Sequence, residues 1–278
     1  MKGYGGTILF VDVGSGRAWS EPLAEVGARA CLGGNGRAVH LLSRHVPAGV
    51  DPYDAANAVA FAVGPITDTT VPGNSRACVA TKSPLTDLFF DSTFGGRFPC
   101  TMKRTGFDAV LITGRAREPV YLKVTEAGAE LRPARALWGK TTRETVEAIQ
   151  AVEGADADVM AIGPAGEHRV RFAAMAHYWR NRDGISGRGG IGAVLGSKNV
   201  KAVAVAGSRK TEIADPAALK ALVEETREPL KKGTQALSTF GTPFLVQPIN
   251  TLGGLGAYNL RTEVYAEARA ISGEEMQP

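Results

Sequence analysis

The first 208 residues are dominated by short apolar runs that end at glycine, proline or a polar turn. Runs of this kind are typical of β-strands rather than helices. Few of them alternate strictly with helical segments, so the pattern predicts an α+β fold instead of a doubly wound α/β sheet. The predicted strands are residues 7–13, 17–21, 58–63, 77–81, 109–113, 120–124, 130–132, 159–162, 170–174 and 200–206.

Helical patterns are fewer and fall into two groups. Residues 28–42 predict a helix broken by Gly33-Gly34-Asn35-Gly36, and residues 141–152 place Val146 and Ile149 on one helical face. After Gly207 the pattern changes, since Asp215 before Pro216 is a helix start signal and residues 243–251 suggest a further helix. The chain therefore predicts a domain over 1–208, followed over 209–278 by the truncated beginning of a helical domain.

Composition excludes several classes of function. The net charge of +4 is small and the charges are interspersed, which argues against a nucleic-acid groove. No apolar stretch approaches the roughly 20 residues of a membrane span, and the N-terminus lacks an apolar signal core, so we expect a cytoplasmic protein. Cys31, Cys78 and Cys100 are too far apart for a C-x-x-C metal site, and they predict buried, reduced thiols.

A glycine-rich run, Gly187-Arg188-Gly189-Gly190-Ile191-Gly192, is predicted to bring exposed backbone N–H groups together with two cations, Arg188 and Lys198. Glycines let the backbone approach a ligand, and successive N–H groups form an anion-binding nest. A helix starting here would add favourable potential for a phosphate. The run thus predicts a site for a phosphorylated ligand. Two alternatives remain, namely a G-x-G-x-x-G dinucleotide fingerprint, which lacks a buried strand before it, and a turn without a ligand.

Many short motifs, in order along nearly the whole chain, resemble the N-terminal part of the tungsten-dependent aldehyde:ferredoxin oxidoreductase family. They include Gly64-Pro65-Ile66-Thr67 and Leu137-Trp138-Gly139-Lys140. The resemblance implies a base of two β-layers that holds a tungsten or molybdenum bis-pterin cofactor, whose phosphates are bridged by Mg²⁺. The other matching segments are 5–6, 32–36, 81–86, 95–96, 106–108, 119–121, 161–167 and 187–201.

The resemblance also implies site residues. Two pterin loops fall on the segments around Gly95 and Gly187, and the backbone carbonyls of Thr93 and Ile185 match the Mg²⁺ ligands. Arg76 matches an arginine near the pterin and the iron–sulfur cluster, where a cation stabilises anionic charge; the alternative is a solvated strand-end arginine. The implied cofactor-binding residues are Arg76, Thr93, Phe94, Gly95, Gly96, Ile185, Ser186, Gly187, Arg188 and Gly189.

The chain departs from the family pattern at several points. The first arginine of the second pterin loop is missing, although Arg180 and Arg182 stand nearby, and Thr93-Phe94 replaces the usual Asn-Ser. The cysteine motif for a [4Fe–4S] cluster would begin after residue 278, so we expect cluster ligands and further C-terminal domains to come from outside this chain. No catalytic residue is predicted.

The resemblance implies oxidation of aldehydes to carboxylic acids, with electron transfer through the cluster to ferredoxin or an electron-transfer subunit. A homodimer is one candidate assembly, and the sequence does not determine the oligomeric state. The alternatives are a superfamily member acting on aromatic or thioester substrates and a non-catalytic cofactor-binding module.

Overall fold

The protein, described by a computed structural model over residues 1–180 and 183–277, divides into two compact units. Unit 1 is Met1–Ala214 and carries every strand of the described residues, whereas unit 2 is Asp215–Pro278 and is helical. The α+β fold class is therefore confirmed. The strands are β1 (Thr7–Asp12), β2 (Arg17–Pro22), β3 (Val59–Val63), β4 (Ala77–Lys82), β5 (Phe89–Phe94), β6 (Phe107–Thr113), β7 (Val120–Thr125), β8 (Gly128–Pro133), β9 (Asp158–Ile162), β10 (Met175–His177), β11 (Gly184–Ser186) and β12 (Val200–Val205).

Ten α-helices are found in the described residues, six of them in unit 1. They are α1 (Glu25–Cys31), α2 (Gly34–His45), α3 (Phe98–Arg104), α4 (Thr142–Glu153), α5 (Pro164–Glu167), α6 (Ile191–Ser197), α7 (Pro216–Gly233), α8 (Gln235–Phe240), α9 (Val246–Thr251) and α10 (Gly273–Met276).

The strands form two six-stranded mixed sheets in the described residues. The first sheet has the order β2-β1-β6-β3-β4-β5, with β1 and β6 parallel. The second has the order β11-β10-β9-β12-β7-β8, with β7 and β12 parallel. The edge strands of the two sheets face each other in pairs, because β5 lies against β11 and β2 lies against β8.

The main core lies between the two sheets. Large side chains of the strands face this core, whereas small side chains face the outer helices. In β3, Val59, Phe61 and Val63 face the other sheet, whereas Ala60 and Ala62 face outward. The small outward side chains let α2 pack closely, and α4 covers the outer face of the second sheet in the same way. The result is two β-layers with a helix on each outer face, and α3 and α6 add side chains to the central core.

The sequence located most of these elements and missed three strands. Residues 170–174, predicted as a strand, form a turn instead, and β5, β10 and β11 were not predicted. The break in residues 28–42 is real, since α1 ends at Cys31 and α2 begins at Gly34. The predicted cap at Asp215 is confirmed, because its side chain accepts the Ala218 N–H at 2.9 Å.

Candidate functional site

Arg76 and the Gly95–Gly96 turn lie side by side because β4 and β5 pair antiparallel. Ala77, the first residue of β4, pairs with Phe94, the last residue of β5. The residue before β4 therefore comes level with the residue after β5. The hydroxyl of Ser75 donates a hydrogen bond to the Gly96 carbonyl and fixes this arrangement.

The segment around Gly187 reaches the same place through the second sheet. Its strand, β11, lies against β5, and Gly184 faces the Gly95 backbone so closely that a Cβ at residue 184 would overlap the Gly95 carbonyl oxygen. Three segments far apart in sequence thus meet at the adjoining edges of the two sheets.

The residues of these segments differ in what they offer a ligand. Arg76 and Arg188 are exposed, and neither side chain makes a hydrogen bond or ion pair within residues 1–180 and 183–277. Ser186 is buried, and its hydroxyl has no partner among the described residues. Thr93 and Ile185 expose their side chains. By contrast the Phe94 ring lies in the core, packed edge-to-face on Phe98 with centroids 5.7 Å apart, so only its backbone can face a ligand.

The second half of the glycine run packs closely against neighbouring elements. A Cβ at Gly189 would overlap the Phe90 ring, and one at Gly190 would overlap the Arg171 carbonyl oxygen. The Gly192 N–H donates to the Ala173 carbonyl at 3.0 Å, and all of α6 is buried. The expectation that a helix N-terminus here faces a phosphate is therefore wrong, and the exposed part of the run is Gly187-Arg188.

The side chain of Lys198 also points away from the glycine-rich run. It is fully buried, and its ammonium group donates to the carbonyls of Ala55, Asn57 and Gly114, at 3.1, 2.5 and 3.1 Å. The prediction that Lys198 adds a cation to the glycine-rich loop is wrong. The residues before the run do form strands, but β11 pairs antiparallel with β10. A dinucleotide fingerprint requires a parallel βαβ setting, so this alternative is excluded.

A buried polar network lies beside the Gly95–Gly96 turn, and no local sequence pattern indicates it. His177 accepts the backbone N–H of Arg97 through Nε2 at 3.3 Å. Asp158 receives the Arg97 guanidinium at 3.0 Å and a hydrogen bond from Thr101. Burial lowers the pKa of His177 and raises the pKa of Asp158, each partly opposed by its neighbours. Isolated histidines and aspartates carry no spacing signal, so only tertiary structure brings these groups together.

Next to the turn, a polar cleft of about 670 Å³ is lined by Arg97, Cys100, Arg104 and Trp179 among others. The Arg97 guanidinium stacks on Trp179, 3.7 Å from the ring centroid. Arg104 forms a bidentate pair with Asp68, whose hydrogen bonds raise the pKa of the guanidinium. Two cations of this cleft, Arg97 and Arg104, are therefore already engaged. Arg180 lies 5.2 Å from the same Trp179 ring, and Arg182 falls outside the described residues.

Comparison with known proteins identifies the family. The model of the aldehyde ferredoxin oxidoreductase N-terminal domain matches residues 8–207. The chain belongs to the aldehyde ferredoxin oxidoreductase family.

Relatives of known name support this assignment. The tungsten-containing aldehyde ferredoxin oxidoreductases of Pyrococcus abyssi and Pyrococcus furiosus are 39% and 38% identical to this chain over 99% of its length. The active-site complex BamBC of benzoyl coenzyme A reductase, solved with 1,5-dienoyl-CoA, superposes with a TM-score of 0.79 at 34% identity. That superposition covers 83% of this chain and 35% of the benzoyl coenzyme A reductase chain. This chain spans 46% of the two aldehyde ferredoxin oxidoreductases, which is about half their length.

The described part of this aldehyde ferredoxin oxidoreductase domain contains no cluster of three or more His, Cys, Asp or Glu side chains that could hold a metal. Cys78 is buried, which raises the pKa of its thiol to about 12, so it stays protonated. None of the helices in residues 1–180 and 183–277 is long and apolar enough to cross a membrane.

Proposed function

We propose that this chain is the cofactor-binding base of a cytoplasmic tungsten oxidoreductase that oxidises aldehydes to carboxylic acids. The observation that carries the proposal is the meeting of Arg76, the Gly95–Gly96 turn and the Gly187-Arg188 segment at the adjoining sheet edges. An anionic ligand placed there finds backbone N–H groups, which glycine leaves accessible, and two arginines with no other partner among the described residues.

The residues present fit a phosphorylated pterin cofactor. The unpartnered Ser186 hydroxyl is a buried donor of the kind that a bound ligand satisfies. Thr93 and Ile185 lie on β5 and β11, which are edge strands, and edge strands leave carbonyls free to bind Mg²⁺. Arg76 and Arg188 would balance phosphate charge. When bound, a tungsten bis-pterin supplies two-electron oxidation chemistry, while this chain binds the group, orients it and covers one of its faces.

The remaining parts of the proposal concern groups beyond this chain. A [4Fe–4S] cluster with ligands outside residues 1–278 would pass electrons to ferredoxin, the partner in the names of the tungsten relatives. The further domains and a second copy in a homodimer complete the proposed enzyme. A second candidate function, reduction or oxidation of an aromatic thioester, is favoured by the 34% identity to the benzoyl coenzyme A reductase complex.

Titration of the chain with magnesium pyrophosphate, followed through backbone amide chemical shifts, tests the binding site. We expect the largest shifts at Gly95, Gly96 and Gly187. Arg76→Gln and Arg188→Gln should each weaken binding by about ten- to a hundredfold, since each removes a charge-assisted contact. Arg135→Gln is the matched control, because Arg135 is 85% exposed and follows β8, the far edge of the second sheet. Shifts confined to other surfaces, or equal effects of all three substitutions, would refute the site.

The reaction is tested on the complete enzyme that carries this chain, purified from cells grown with tungstate. Aldehyde-dependent reduction of a viologen dye supports the proposed function. Turnover of an aromatic coenzyme A thioester without aldehyde activity would support the second candidate instead.

A further inference from the structure

His177 occupies a fully buried position between the two candidate cofactor-binding segments. It ends β10, where it pairs with Gly184 of β11 on one side and with Met160 of β9 on the other. Gly184 in turn faces the Gly95 backbone without room for a side chain. The backbone of His177 therefore pairs with β11, the strand that leads to Gly187, while its side chain contacts the chain just after Gly95–Gly96.

The ring contacts define one neutral tautomer. Nδ1 lies 3.2 Å from the carbonyl oxygen of Val159, which can only accept, so Nδ1 carries the proton. Nε2 then holds a lone pair and accepts the Arg97 N–H at 3.3 Å. The Phe98 ring packs edge-to-face against the imidazole, with centroids 6.1 Å apart, and restricts its rotation.

The Arg97 N–H is the first amide after the Gly95–Gly96 turn, and His177 is its acceptor in the described residues. Gly96 has a φ of +88°, and glycines of this kind have little conformational preference of their own. The conformation of such a turn must therefore be fixed by hydrogen bonds on both sides of it. Ser75 holds the Gly96 carbonyl on one side, and His177 holds the Arg97 N–H on the other.

Asp158 offers His177 an alternative partner, because its carboxylate could accept a hydrogen bond from a protonated Nε2. Its Oδ2 atom receives Thr101 and Arg97, but its Oδ1 atom is buried without a hydrogen bond among the described residues. That atom lies 3.7 Å from Nε2 of His177. A proton on Nε2 would be attracted to Oδ1, but Nε2 would then no longer accept the Arg97 N–H. In the observed contacts Nε2 accepts from the Arg97 N–H. This anchors the turn and leaves the Asp158 Oδ1 atom without a partner among the described residues.

We propose that His177 is a positioning residue that holds the Gly95–Gly96 turn in register with the Gly187 segment, so that both contact one bound phosphate group. The proposal rests on the proposed function for the identity of that ligand. The anchoring itself rests only on the contacts of this chain.

The test compares two substitutions of similar size. His177→Leu fills the space without an acceptor, whereas the amide oxygen of His177→Gln takes the place of Nε2. We expect His177→Leu to speed hydrogen exchange of the Arg97 amide by at least about tenfold and to weaken magnesium pyrophosphate binding by about tenfold, the range for one lost hydrogen bond and a loosened turn. His177→Gln should keep most of the Arg97 protection and most of the pyrophosphate affinity.

Thr145→Val is the control for a general loss of stability. Thr145 is fully buried on α4, at the outer face of the second sheet, and its hydroxyl donates one hydrogen bond to the Thr141 carbonyl at 2.7 Å. This variant should lower the melting temperature without changing Arg97 exchange or pyrophosphate affinity. Equal behaviour of the Leu and Gln variants, or an effect of Thr145→Val on Arg97, would overturn the proposal.

A measurement on the unmodified chain covers the case in which His177→Leu does not fold. Nitrogen-15 NMR at pH 7 should show the neutral tautomer with the proton on Nδ1. The opposite tautomer or an imidazolium would overturn the proposal. If the unmodified chain binds no pyrophosphate, yet Arg97 exchange follows the acceptor at residue 177, the anchoring stands and the cofactor assignment of the two segments fails.

Discussion

At the scale of the residue, Lys198 illustrates how a charge is stabilised without a counter-ion. Its ammonium group meets three backbone carbonyls, two in the loop before β3 and one after β6. Three carbonyl dipoles match the three N–H donors of the ammonium group. Burial nevertheless lowers the pKa of Lys198 to about 8, because the charged form loses its hydration.

This pKa predicts a pH dependence of stability. Between pH 8 and about 10.5, the unfolded lysine keeps a proton that the folded lysine has lost. The unfolded state then binds more protons, so the contribution of Lys198 to the free energy of unfolding rises with pH. Urea unfolding at pH 7.5 and 9.5 should show the difference between the unmodified chain and Lys198→Met increasing by about 2 kcal/mol. A difference independent of pH would contradict this.

Cys78 leads to a prediction of reactivity. Its pKa is raised to about 12 by burial and by the nearby Asp91 carboxylate, and only the thiolate reacts rapidly with alkylating agents. We expect iodoacetamide at pH 8 to leave Cys78 unmodified in the folded chain, whereas Cys31 and Cys100 are partly exposed and react. Peptide mass spectrometry measures this, with the urea-unfolded chain as the control in which all three cysteines react. Modification of Cys78 at the rate of Cys100 would show that the thiol is accessible.

At the scale of the element, α6 is held in place by the absence of side chains. Gly192 and Gly196 approach the carbonyls of Ala174 and Gly166 so closely that a Cβ would overlap them. The turn over residues 170–174 supplies several of these carbonyls. The backbone of this turn therefore contacts α6 instead of joining a β-ladder, and its Phe172 side chain is exposed, so the apolar pattern does not mark a strand.

Two glycine substitutions separate packing from ligand binding. Gly190 has a φ of +68° and faces the Arg171 carbonyl oxygen, so Gly190→Ala should destabilise unit 1 by about 2–4 kcal/mol. Gly187 is exposed, and a Cβ there would meet no atom closer than 3.7 Å, so Gly187→Ala should change stability by less than about 0.5 kcal/mol. Urea denaturation measures both, and equal effects would mean that the whole run is needed for packing.

The sequence predicted long apolar strands such as β3 and β9 because burial on both faces leaves an unbroken run. It missed β10 and β11, since three-residue strands are too short for a period to appear. The meeting of Arg76 with the segments around Gly95 and Gly187 came from family resemblance, and the structure brings these residues together. The contacts of His177, Asp158 and Lys198 depend on tertiary structure, which no local pattern encodes.

At the scale of the whole molecule, the two units differ in their cores. In unit 2, helices α7, α8 and α9 contain no buried residue, and Leu222, Leu252 and Leu260 are exposed. Pro229 also removes one hydrogen bond within α7. We expect amides of residues 216–251 to exchange within minutes, whereas β3 and β9 stay protected for hours or longer. Hydrogen-exchange mass spectrometry tests this, and equal protection would show that unit 2 is stably folded.

We also expect this chain alone to be inactive. It offers no side-chain metal cluster in the described residues, and it supplies one face of the proposed site. A cofactor exposed on its other face loses several charge-assisted hydrogen bonds, each of which contributes about 1.5–3 kcal/mol. The purified chain should contain no tungsten or iron by elemental analysis and should reduce no dye with aldehyde. Stoichiometric metal together with activity would contradict this.

The contact of β5 with β11 and of β2 with β8 has a consequence for solubility. Strands at an open sheet edge recruit strands from other molecules, which is a common route to aggregation. Here each edge strand lies against an edge strand of the other sheet, so less of either edge is accessible to an incoming chain. The same closure that builds the candidate site therefore protects unit 1 from growing into intermolecular sheets.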